Sequence, residues 1–197
     1  EGEVATADLL HAHPALKNAE KEATASRAKA QAEKSGDRGK KQAPPLCLQL
    51  LAALEKAVSN EELPLFHRGY AWYRCFRHWA SLRFDDTSGL DPSSLTRRTR
   101  GVYGVLRRTK TSGPDKQISL LPVFVSQDAW VALPWLWVGL PLWTQSALTY
   151  DRDYFLCLPT PDLTGTVQKR ARYTDAVCFS RALFGSLETS SGGALLC

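Results

Sequence analysis

The 197-residue sequence predicts an α+β fold, mainly helical, with one small three-stranded antiparallel sheet. Apolar residues recur at helical spacing over residues 46–58, 64–82 and 173–187. Three short strand-like runs, 95–100, 102–109 and 117–125, lie together after the second of these helices, with a turn signal between the last two. Consecutive strands joined by short turns pair antiparallel, so the runs predict one sheet.

Taken in order, residues 1–45 are rich in Ala, Lys, Glu, Gln and Ser and hold no large apolar residue after Leu16. Such a stretch cannot bury enough surface to offset its ordering entropy, so a disordered or marginally helical charged tail is expected, closed by Pro44 and Pro45. Residues 46–187 form the expected domain, and 188–197 a flexible end. In the first helix Cys47, Leu50, Leu51, Leu54 and Val58 share a face. Ser59 to Glu62 breaks it, and Pro64 suits the start of the next. There Phe66, Trp72, Tyr73, Phe76, Trp79 and Ala80 form one broad face, with Arg68, Arg74 and Arg77 largely elsewhere. Gly89 and Pro92 mark the change to strands, and residues 111–115 (Thr-Ser-Gly-Pro-Asp) form the turn before the third. Residues 126–148 are the most apolar, with Trp130, Trp135, Trp137 and Trp143, and read as a buried helix with loops. Residues 150–161 read as extended.

Net charge is +5, and its location is informative. Residues 63–120 hold eleven Arg and Lys against four Asp, an excess of seven, while the rest of the chain is slightly acidic. Arg dominates, and its planar fork suits phosphate. Five cysteines without metal spacing read as free thiols, which implies a reducing compartment, nuclear or cytoplasmic. No secretory signal is visible. The sequence has no Met, not even at position 1, so a fragment or processed product is expected.

The segment with chemistry begins at the end of the second helix, where the chain reads Ser81-Leu82-Arg83-Phe84-Asp85-Asp86. Twenty-seven residues after Arg83, Lys110 lies in the turn region between the second and third strands, in Arg107-Arg108-Thr109-Lys110-Thr111. Helix, Arg, basic three-stranded sheet with a Lys in its turn, and helix resembles the catalytic domain of the tyrosine recombinases, the family of the phage integrases. The resemblance implies the DNA breaking–rejoining fold and site-specific recombination or integration of DNA through a covalent phosphotyrosine intermediate. It gives Arg83 and Lys110 catalytic roles and makes Asp86 a group that holds Arg83 or caps the next segment. A Tyr nucleophile builds negative charge on the phosphate oxygens, which a bidentate Arg can hold. The leaving 5′ oxygen needs a proton, which Lys can supply. Arg97, Arg98, Arg100, Arg107 and Arg108 are the expected DNA contacts, with Tyr103 between them able to pack or stack.

The pattern is incomplete. The family has a later His-x-x-Arg motif and a Tyr nucleophile near its end, whereas this sequence has no His after His78. Tyr150, Tyr154 and Tyr173 come too early for the nucleophile. The expectation is a C-terminally truncated domain of a mobile element that binds DNA but does not cut it alone. Further recombinase subunits on DNA would be its partners, with no membrane, metal or small-molecule cofactor. Two other readings stay open: a non-catalytic DNA-binding remnant, and a membrane-surface protein using the Trp-rich stretch. That stretch, 129–143, is short of the roughly 20 residues that span a bilayer and is interrupted by Pro134 and Pro141. A hydrolase or metal enzyme has no support. His11 and His13 lie in the tail, His67 and His78 lie at opposite ends of one helix, and no Gly-rich phosphate loop is present.

Overall fold

Helix α1, Leu48–Ser59, and helix α2, Leu65–Trp79, form where apolar periodicity places them. The computed structural model describes residues 48–109, 115 and 117–191, with side chains through Leu187. Lys110, turn residues 111–114, the tail 1–45 and residues 192–197 lie outside the described residues. Helix α2 ends three residues before the expected 82. Ser81 takes φ 53. Its N–H donates to the His78 carbonyl at 3.0 Å, and that of Leu82 to the Arg77 carbonyl at 2.8 Å. This is the left-handed C-terminal cap that Gly usually supplies; Ser gives no such warning in a sequence.

Strands β1 (Thr96–Arg98), β2 (Gly101–Leu106) and β3 (Leu121–Ser126) pair antiparallel in that order, as the three strand-like runs predict. Arg98 opposes Gly101 across the two-residue turn Thr99-Arg100, and Val102 opposes Val125. The third strand starts at Leu121 rather than the expected 117. Val102, Leu106, Val123 and Val125 point to the core and are buried; Tyr103, Val105 and Phe124 alternate onto the other face.

The Trp-rich stretch contains helix α3, Trp135–Thr144, whose Trp135 and Trp143 are buried. It lies flat on α2: a Cβ on Gly139 would sit 2.0 Å from Cδ1 of Trp72. The indole of Trp72 donates to the Leu136 carbonyl (3.1 Å) and that of Trp143 to the Gly69 carbonyl (3.0 Å), so both buried N–H groups are satisfied. No helix among the described residues is long and apolar enough to cross a membrane.

A second sheet pairs β4, Cys157–Pro159, with β5, Thr166–Arg170. The expected extended stretch 150–161 contains β4. β5 was not anticipated, because Thr-Val-Gln-Lys-Arg has no alternating apolar residues and is almost wholly exposed. Between α3 and β4 the chain is held by Arg152, which is 7% exposed. Its Nε donates to the carbonyls of Tyr154 and Phe155 and one terminal nitrogen to those of Leu148 and Tyr150, all at 3.1–3.2 Å. One guanidinium thus satisfies four carbonyls that no helix or strand serves. Phe155 is carried into the core beside Trp72, Tyr73, Phe76 and Trp143, with ring centroids 6.1, 5.3, 6.5 and 4.7 Å away.

Helix α4, Tyr173–Ser191, continues four residues past the expected boundary at 187. It docks on α2 through the Tyr70 hydroxyl, which donates to the Ala176 carbonyl at 2.6 Å, and through Phe179 edge-on to Phe66 and Tyr70. Cys75 and Cys157 are free and buried, and burial pushes both thiols up, away from reactivity.

Burial lowers the pKa of His67, whose Nδ1 has no hydrogen-bond partner among the described residues. The unfolded chain therefore takes up a proton first as pH drops below 6.5. This group's stability contribution is full above that value and is lost as pH falls through the lower folded pKa. Urea unfolding midpoints should decline between about pH 7 and pH 5, with a shallower decline in His67→Leu.

Candidate nucleic-acid interface

The Schellman-type cap at Ser81 turns the chain off α2 and delivers Arg83 to the surface. Asp86 accepts the main-chain N–H of Arg83 at 2.8 Å and closes the turn. It thus positions Arg83 through the backbone rather than by pairing with its guanidinium. Thr87 pins the turn to α2. Its hydroxyl donates to the Phe84 carbonyl (2.7 Å) and so accepts from the Tyr73 hydroxyl (2.8 Å). Burial pushes the Tyr73 phenol up to about 12, so it stays a donor at all ordinary pH.

Strand β2 ends against this turn. Leu106 bridges to Leu90, and the Arg107 N–H donates to the Gly89 carbonyl at 2.8 Å. Only a glycine allows the approach: a Cβ at position 89 would lie 2.4 Å from the Arg108 nitrogen. The result is an open depression of about 370 Å³ lined by Arg83, Asp85, Asp86, Arg108 and Thr109. Arg83 and the residue preceding Lys110 therefore share one site. Its two arginines and two aspartates cancel, and Arg108 also pairs with Asp153 at 3.3 Å. Gly89→Val is expected to cost about 2 kcal/mol by overpacking. It should also weaken binding of duplex DNA while leaving far-UV circular dichroism native, read by thermal melting and fluorescence anisotropy.

The other arginines expected at DNA divide into groups. Arg98 and Arg100 are exposed at the β1–β2 turn, at the far end of β2 from Arg83, roughly 17 Å away by strand rise. Arg97 lies on the opposite face of β1 from Arg98, its guanidinium 4.5 Å from the Trp137 ring centroid, so it also joins the sheet to α3. Arg107 is exposed just beyond β2.

A second depression, about 300 Å³, is lined by Arg74, Arg77, His78, Ser81 and Leu82, with no acid. The sequence reading did not select these residues. Arg77 lies over the rings of Tyr73 (5.4 Å) and Phe84 (5.8 Å). Arg74 lies over Phe184 (5.7 Å) and donates to Ser180 at 3.0 Å. Neither has a carboxylate within ion-pair distance among the described residues. A cation held on an aromatic face keeps N–H groups for an anion. The available signal was their position on α2 away from the aromatic face, which sequence alone could not tell from ordinary solvated cations.

The Tyr150 hydroxyl is bonded to that of Tyr154 at 2.8 Å, and burial, then this bond, push its pKa up. Tyr173 is exposed, its ring edge-on to Phe84 at 5.6 Å. No group of three or more His, Cys, Asp or Glu among the described residues could hold a metal ion.

No family model matches the chain, and no curated protein does. Among solved structures it is similar to a Flpe–Holliday junction complex, with 12% identity, TM-score 0.38, and 95% of this chain and 40% of that one covered. A complex of a Flpe mutant with a DNA Holliday junction gives 13% identity and TM-score 0.39, covering 86% of this chain and 49% of that one. An FLP recombinase–Holliday junction complex gives 10% and 0.34, covering 96% and 48%. The chain thus spans less than half the length of these three neighbours, and likenesses of this size assign it to no family.

Proposed function

We propose that this chain binds DNA as the front part of a tyrosine-recombinase-like catalytic domain, supplying Arg83 and Lys110 for DNA integration or recombination. The observation that carries the reading is the depression in which Arg83 and Thr109 meet, one residue before Lys110. Arg83 would hold the scissile phosphate and Lys110 would protonate the leaving oxygen. Asp86 would set the Arg83 turn, and Arg74, Arg77, Arg98, Arg100 and Arg107 would contact flanking phosphates. The sequence has no His-x-x-Arg motif, since no His follows His78, and Tyr150, Tyr154 and Tyr173 come too early for the family's nucleophile. Binding without cleavage is therefore the expected activity of these 197 residues. Nuclear or cytoplasmic location and further recombinase subunits on the same DNA belong to this proposal.

The test is duplex binding by single variants across a salt series. Arg98→Ala and Arg100→Ala should each weaken binding similarly on all sequences and reduce the log–log salt slope by about 1. No covalent adduct should form with a suicide substrate. Variants that leave affinity and slope unchanged would contradict the phosphate roles, and a trapped adduct would contradict the non-cleaving reading.

A further inference from the structure

The core side of the three-stranded sheet is packed against helices, but its other side carries two aromatic rings. Tyr103 and Phe124 oppose each other in the register, with Thr96 on the third strand of the same row. Directly opposed residues share a face, so both rings point outward, where a sheet aromatic would ordinarily be expected in the core. Phe124 remains 51% exposed and leans along the sheet: its Cζ would lie 2.7 Å from a Cβ placed on Gly101. The Tyr103 hydroxyl has no partner among the described residues, and the two rings do not stack on each other. Val105 opposes Pro122 in the next row and extends the apolar surface.

The charges around this face are mostly positive. Arg98 lies in the row of Gly101 and Ser126, one row or about 7 Å from the rings. Arg100 is in the adjoining turn and Arg107 lies just past the other end of β2. The nearby acid at the turn end, Asp128, is held by the Ser126 hydroxyl at 2.6 Å. Tyr103, Phe124, Val105 and Pro122, even with the exposed Leu120 just before β3, are too few for a stable protein interface, which needs about 800 Å² on each partner. One exposed ring, Phe124, and one half-buried ring, Tyr103, flanked by arginines fit planar bases joined by phosphates.

We propose that the outer face of this sheet is a stacking platform for unpaired bases of single-stranded DNA, with Tyr103 and Phe124 each taking a base and Arg98 and Arg100 their phosphates. It deepens the DNA-binding reading by adding a site for melted or extruded strand, which phosphate contacts alone do not provide. A duplex has its bases stacked internally, so its affinity should not depend on these rings.

The experiment compares an oligothymidylate of about 15 nucleotides with a random-sequence duplex, using the full chain and Tyr103→Leu, Phe124→Leu and Phe124→Trp. Each Leu variant should lose about tenfold in affinity for the single strand, Phe124→Trp should retain it, and duplex affinity should stay within roughly twofold. Leu variants with native circular dichroism and melting temperature that bind the single strand as wild type does would overturn the proposal. So would parallel losses on duplex and single strand, or a Trp variant as weak as Leu. If the single strand binds in a ring-dependent manner and the duplex does not bind at all, the platform stands and the duplex-binding reading falls.

Discussion

Phe155→Ala is expected to lower the free energy of unfolding by about 4 kcal/mol, the upper part of the range for an aromatic removed from a packed core. Phe155 is fully buried, and its ring meets three aromatics of α2 and Trp143 of α3. The cavity would open between elements that Gly139 and Trp72 already hold in close contact, so little collapse can relieve it. The same residue reaches the candidate site, because its N–H donates to the Thr87 carbonyl at 3.4 Å, beside the Arg83 turn. Urea denaturation should show the drop with an unchanged m-value. Phe155→Leu should lose about half as much. A loss below about 1 kcal/mol for the Ala variant would mean that the ring is not wedged as described.

Glu55→Ala should cost about 3 kcal/mol for a different reason. Glu55 is wholly buried on α1. One carboxylate oxygen accepts the main-chain N–H groups of Trp130 (2.9 Å) and Val131 (3.0 Å), and the other accepts the Trp79 indole at 3.3 Å. No cation pairs with it among the described residues. These three donors anchor the loop that leads into α3, where the Trp130 ring stacks on Trp79 at 6.2 Å. Removing the acceptor strands two amides and an indole. Glu55→Gln keeps one oxygen in place and should lose clearly less. Equal losses in the two variants, measured by chemical denaturation, would mean that the charge rather than the acceptor geometry holds the loop.

Neither residue was legible from sequence, and the reason is physical. Glu55 sits in a helix whose apolar periodicity is satisfied without it, so it reads as one more solvated charge. Phe155 lies in a stretch with no period, where Arg152 supplies through its guanidinium the bonding that a strand would otherwise supply. By contrast, α1, α2 and the β1–β2–β3 order follow from periodicity and the three short strand-like runs, because there the local signal and the tertiary packing agree. The end of α2 did not follow, since Ser81 adopts the left-handed cap without being Gly or Asn. Within the site, Arg83 and Asp86 were selected by resemblance, and the structure places them in one turn. The β2–Gly89 contact that brings Thr109 there depends on a missing side chain 20 residues away, which no local pattern encodes. Lys110 itself lies outside the described residues.

The most direct test of the account is titration of a labelled duplex with the 197-residue chain at several salt concentrations between about 50 and 200 mM. The account predicts binding whose log K falls linearly with log salt, with a slope of roughly −3 to −5 for the exposed arginines flanking Arg83 and the β1–β2 turn. No binding at low salt, or binding indifferent to salt, would contradict it.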